Sequence, residues 1–142
     1  MSIRIVILYL TIFCQFIAYD TLQAQEVGDL AQQSLSQISE NGKFKLTIGP
    51  FDAAPIIGEI QQWQVKIEAV DGKAIDNAEF IFDARMPEHR HGLPTRPRLE
   101  RKLGGGEYRV SGVKFSMPGF WLVKIDGSVG SDSLYAEFEL HL

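Results

Sequence analysis

The sequence is poor in the residues that usually carry chemistry, and each shortage excludes something. Cys14 is the only cysteine among 142 residues, and it lies inside an N-terminal apolar run. Once that run is removed, no thiol is left for disulfides, thiol redox chemistry or thiolate metal ligation. Phe13 precedes Cys14 where lipid attachment calls for a small residue. Positive charge is in deficit as well: the formal net charge is −4. A general nucleic-acid binder needs a basic surface to displace counterions, so nucleic acid is not an expected partner. The signatures of common enzymes are missing: there is no nucleophile elbow, Walker loop or dinucleotide fingerprint. Gly104-Gly105-Gly106 precedes no helical pattern and reads as a hairpin turn rather than a phosphate cradle. The expectation is a non-enzymatic protein.

What is present begins with an export signal. Arg4 supplies a positive start, Ile5 to Tyr19 is an almost unbroken apolar run, and Asp20 to Gln25 is polar with Ala24 before the expected cut. The run falls short of the roughly 20 residues that span a bilayer. Residues 1–24 therefore read as a signal peptide, which places the protein in the periplasm or outside the cell. The alternative is an uncleaved anchor, because Leu22 stands three places before the cut, where a small residue is usual. Residues 25–42 read as a polar spacer. Val27, Leu30, Leu35 and Ile38 are irregularly spaced there, and a short helix ending at Asn41-Gly42 is compatible with them.

From Lys43 the hydrophobic period becomes two. Phe44, Leu46 and Ile48 alternate with lysines and threonine; Trp63, Val65, Ile67 and Ala69 alternate with Gln62, Gln64, Lys66 and Glu68. Phe80, Phe82 and Ala84 follow, then a short strand from Arg98 to Leu103. Tyr108 and Val110 share a face, whereas Val113 and Phe115 fall in the opposite parity, which places a bulge near Ser111-Gly112. Trp121, Val123 and Ile125, and then Leu134 to Leu142, complete about seven strands. The pattern predicts an all-β fold over residues 43–142, an immunoglobulin-like antiparallel β-sandwich with Trp63 and Trp121 in its core.

One segment breaks the alternation: Met86-Pro87-Glu88-His89-Arg90-His91-Gly92-Leu93-Pro94-Thr95. After Ala24 only two methionines remain, Met86 and Met117, and proline follows each. Thioether and imidazole are soft and borderline donors that suit Cu(I), or Cu(II) if more nitrogen or oxygen joins. Zinc would usually draw in carboxylate or thiolate. The candidate metal ligands are Met86, His89, His91 and Met117, provided that the fold brings the loop after the third strand to the turn before Trp121. The competing reading is structural: methionines filling the open end of the sandwich, and histidines bonded to loop carbonyls. His141 alternates outward with Glu137 and Glu139 and reads as a solvated strand residue.

Between Arg85 and Lys102 six cations face only Glu88 and Glu100. Either Arg90 and Arg96 contact an anion or a partner, or the run is a charged edge strand that blocks unwanted pairing.

Three motifs in order resemble the bacterial YtkA-like and FixH-like exported domains. They are the Met86–Thr95 segment, Gly105-Gly106-Glu107-Tyr108, and Phe115-Ser116-Met117-Pro118-Gly119-Phe120-Trp121. The resemblance covers roughly Glu59 to Leu142. It implies an immunoglobulin-like sandwich on the extracytoplasmic side, serving copper handling or respiratory-oxidase assembly. The implied cofactor is copper, carried onto Met86, His89, His91 and Met117, and the implied partner is a copper protein or an oxidase assembly factor. Similar sequences often place glycine where this one has Arg90: if the loop needs positive φ there, Arg90 is strained, and if it does not, Arg90 adds charge beside the site that disfavours a bound cation. The alternative function is a periplasmic interaction module that binds a protein or anionic ligand through the His/Arg loop, without metal. The first test is export itself: N-terminal sequencing of periplasmic protein should begin close to Gln25, and full-length chain in the membrane fraction would mean an anchor.

Overall fold

Alternation sorts the side chains of each strand onto two faces, and burying the apolar face of one sheet against that of another builds the domain. The computed structural model describes residues 34–52 and 54–142, and the expected signal peptide and the first half of the spacer lie outside these residues. Nine strands follow in order: β1 (Leu35–Ile38), β2 (Phe44–Pro50), β3 (Gln61–Ala69), β4 (Ala78–Met86), β5 (His91–Gly92), β6 (Arg98–Gly104), β7 (Glu107–Val113), β8 (Phe120–Val129) and β9 (Asp132–His141). They form a five-stranded sheet, β1-β2-β3-β7-β6, and a four-stranded sheet, β5-β4-β8-β9. Every pairing is antiparallel. The described residues contain no helix.

The seven longer strands reproduce the four-plus-three strand order of immunoglobulin constant-type domains. The two additions explain why about seven were expected. β5 is only two residues long. β1 lies in the stretch read as spacer, and where a short helix was compatible the chain is extended. Its side chains are nearly all exposed, so it leaves no period-two signature. It is held by backbone pairing to β2 and by a 2.8 Å hydrogen bond between the Ser36 and Thr47 hydroxyls. The sheet therefore begins at Leu35 rather than Lys43.

The core is drawn from both inner faces. Leu46, Ile48, Trp63, Val65, Ile67, Tyr108 and Val110 of one sheet meet Phe82, Trp121, Val123, Ile125, Leu134 and Phe138 of the other. β7 carries the bulge its parity shift demands: the four residues Val110–Val113 stand opposite the three residues Gln61–Trp63. Gly112 takes the positive φ of +82° there, a conformation that costs glycine little. Tyr108 ties the sheets at the other end. Its hydroxyl donates to the Ile75 carbonyl (2.6 Å) and accepts from the Ala78 N–H (3.0 Å). Burial pushes the phenol above its usual pKa, so it remains a neutral donor.

Without a disulfide, aromatic rings join the sheets. Trp63 on β3 packs against Phe82 on β4 (5.8 Å between ring centroids) and against Phe115 (5.5 Å), which meets Trp121 on β8 edge-on at 5.1 Å. Each such pair adds about 0.5–1.5 kcal/mol beyond its buried area. Trp121→Ala removes the ring at the far end of this chain, and denaturant titration should show a loss of about 3–5 kcal/mol. A loss below about 1 kcal/mol would mean that the ring contributes little to the core.

Candidate functional site

The site lies at one end of the sandwich, where β4 ends, β8 begins and loops replace the ladder. Chain reversal at Pro87–Arg90 brings β5 back alongside β4, and the Met86 carbonyl accepts from both the His89 N–H (3.2 Å) and the Arg90 N–H (3.0 Å). Arg90 completes the reversal with φ +54°, the only described non-glycine residue at positive φ. The position thus needs the conformation that glycine supplies, and arginine occupies it under strain.

This reversal sets His91 directly opposite Met86 in the antiparallel register, so the two side chains share a face. The imidazole is oriented from one side by its 3.1 Å contact between Nδ1 and the Gly92 carbonyl. The carbonyl and the thioether both only accept, and the carbonyl is the stronger acceptor, so in the neutral ring the proton belongs on Nδ1. In the neutral ring Nε2 then carries a lone pair, and it faces the Met117 Sδ at 3.3 Å.

Met117 reaches this position from a separate turn, 26 residues further along the chain. The turn is fixed on both sides. The Met117 carbonyl accepts from the Trp121 indole N–H at 3.1 Å, and Gly119 exchanges two backbone hydrogen bonds with Leu142. Gly119 has φ +128°, and a Cβ there would lie 2.9 Å from the Met86 methyl, so the buried Met86 packs directly beneath the turn. The Trp121 ring stands edge-on to His91 at 5.7 Å.

Of the four candidate ligands, the structure brings His91 and Met117 into contact. The exposed His89 lies one ring further out, 5.9 Å from His91 between centroids. Met86 sits across the ladder from His91 but only 2% exposed, as part of the core. Its packing agrees with the gap-filling reading for this methionine. Arg90 and Arg96 are both exposed on the connections flanking β5 and make no ion pair among the described residues. His141 points outward over Phe120. Sequence reasoning placed Trp121 in the core but missed its indole bond to the Met117 carbonyl. A tryptophan four residues after the methionine is the signal that a tight turn of this kind leaves.

Among the described residues, no group of three or more His, Cys, Asp or Glu is placed to hold a metal ion. The donors that meet at this end are an imidazole nitrogen and a thioether sulfur, and their spacing is compatible with joint ligation of one ion. Two ligands about 2.0–2.3 Å from one ion at a near-tetrahedral angle stand about 3.5 Å apart, close to the observed Nε2–Sδ separation of 3.3 Å.

The YtkA-like family model matches residues 36–126. The match spans the bulged β7, the Met86–His91 reversal and the Met117 turn, and the chain belongs to the YtkA-like family. Searches of curated proteins and of solved structures gave no match.

Arg90 tests the geometry of the reversal. Arg90→Gly should stabilise the domain by about 0.5–1 kcal/mol, whereas Arg90→Val should destabilise it by about 1 kcal/mol or more, since a β-branched residue tolerates positive φ worst. Equal stability of the two variants in urea titration would show that the residue does not hold the left-handed conformation.

Proposed function

We propose that the protein is an extracytoplasmic, non-catalytic accessory domain that binds Cu(I) at the end of the sandwich and hands it on. One observation carries the reading: an imidazole lone pair faces a thioether sulfur at 3.3 Å. With the proton on Nδ1 neither atom offers the other a proton, so the pair is open to an electrophile. Of the available cations, a soft one suits both donors.

The chain's own residues divide the work. The Gly92 carbonyl holds the His91 tautomer, as outer hydrogen bonds do for ligating histidines generally. The Trp121 indole and the Gly119–Leu142 bonds hold the turn that presents Met117. His89 supplies a further donor from an exposed side chain. Two held donors and an exposed third suit a site from which a cation can leave. The Arg90 charge beside it limits affinity, which also favours transfer over storage.

Competition titration with a chromophoric Cu(I) chelator under reducing conditions tests this. His91→Ala should abolish binding. Met117→Leu should weaken Cu(I) more than Cu(II), because the thioether is the softer donor. If the unaltered protein takes no Cu(I), the metal-free interaction module acting through Arg90 and Arg96 becomes the better reading.

A further inference from the structure

The outer face of the five-stranded sheet carries an arginine cluster that neither the core nor the His91–Met117 site uses. β6 is an edge of that sheet, and its first residues pair regularly with β7: Arg98 stands opposite Ser111 and Leu99 opposite Val110. A regular ladder would next set Glu100 opposite Arg109, an opposite-charge pair across the strands. The register slips instead. A bulge at Glu100 brings Arg101 opposite Arg109, so two like charges face each other where an ion pair stood one residue away. Like charges directly opposite are destabilising, and bulges that re-aim a side chain in this way recur beside functional sites.

The neighbouring carboxylates do not relieve the pair. Glu100 accepts from the Gln62 side-chain amide at 3.3 Å. Glu107 stands opposite Lys66 in the β3–β7 register, and Lys66 also holds Glu68 at 2.9 Å. Among the described residues, Arg98, Arg101 and Arg109 form no ion pair. Arg109 is nevertheless held in place. Its guanidinium carbon lies 3.9 Å from the centre of the Phe51 ring, and its Nε is buried with no hydrogen-bond partner among the described residues. Stacking on an aromatic ring fixes a guanidinium while leaving its terminal N–H groups to bind an anion. Guarding a sheet edge against pairing needs charge on the edge strand alone. It does not need Arg109, which is half-buried on the inner strand β7.

We propose that Arg98, Arg101 and Arg109 form a binding site for a doubly charged phosphate group. Arg98 and Arg109 share this face because their register positions on β7, Ser111 and Arg109, are two residues apart. Three guanidiniums against the one carboxylate of Glu100 leave two positive charges in excess, which a dianion balances and a single carboxylate does not. Guanidinium forks also match the oxygens of phosphate in bidentate hydrogen bonds. Inorganic phosphate and a phosphate monoester present the same oxygens, so both are ligands of this class. The site lies on the sheet face, whereas His91 and Met117 meet at the end of the sandwich, and the inference does not depend on a metal there.

The Nε–H of Arg109, shielded from solvent, reports on the site in nitrogen–proton correlation spectra. Titrating the purified protein with sodium phosphate at constant ionic strength should shift this signal saturably, and sodium chloride should not. Arg101→Gln should weaken phosphate binding at least about ten-fold, whereas Lys45→Gln, which removes an outward cation on β2, should leave it unchanged. Glu100→Gln should tighten binding, an effect that a merely structural role would not give. Thermal unfolding supplies a second reading. Phosphate should raise the midpoint of the unaltered protein. Arg101→Glu should raise it without phosphate, by restoring an opposite-charge pair with Arg109, and phosphate should then add nothing. Tighter binding of O-phosphoserine than of inorganic phosphate assigns the site to a monoester, and the reverse order to the free ion. Equal shifts with phosphate and chloride, or phosphate binding that Arg101→Gln leaves intact, overturn the proposal and leave β6 as a guarded edge.

Discussion

The structure depends on a line of aromatic rings that does the work of the missing disulfide. Phe82, Trp63, Phe115 and Trp121 cross the sandwich in successive contact, and His91 and His89 continue the line to the surface. The inner members hold the two sheets at a fixed separation. The outer members are the candidate donors. Position at the end of the sandwich is therefore set by core packing and not by loop conformation alone, and the Nε2–Sδ distance inherits the rigidity of Trp121.

Trp121 has two roles in that line. Its ring closes the core, and its N–H holds the Met117 carbonyl. Arg90 shows the opposite balance. Nothing in the core requires it, and its backbone conformation is unfavourable for any side chain. A reversal with a left-handed residue is nevertheless what lets β5 return with His91 opposite Met86. The strain is local, and the many strand pairings around it hold the loop in place.

Much of this was legible in the residues because it rests on alternation. Trp63, Val65 and Ile67 declare an inner face by period alone, and the parity change between Val110 and Val113 marks the bulge before any coordinates. The glycine that similar sequences place at position 90 left open whether φ is positive there, and the structure shows that it is. β1 was not legible, because an edge strand held by backbone bonds buries too little to leave a pattern. Of the four donors suggested by composition, His91 and Met117 meet, and Met86 is absorbed into the core. Sequence shows which residue types cluster, but the direction of a side chain at a strand end depends on register. The one-to-one pairing of Met86 with His91 follows from a four-residue reversal that several turn geometries could have supplied.

The distance along the chain between Trp63, His91 and Met117 has a consequence for folding. The β8–β9 hairpin is local and closes quickly, whereas β3 must find β7, and β4 must find β8, across long intervening segments. Contacts of that kind form late, because loop closure comes before their reward. The histidine–methionine pair lies at the two ends of the β4–β8 connection, so it depends on the pairing of those strands. Anything bound between those two atoms would draw on the stability of the entire domain and would add its own binding energy to the native state alone. Under the proposed copper-binding reading, the end of the sandwich would then act as a checkpoint that admits only a folded chain.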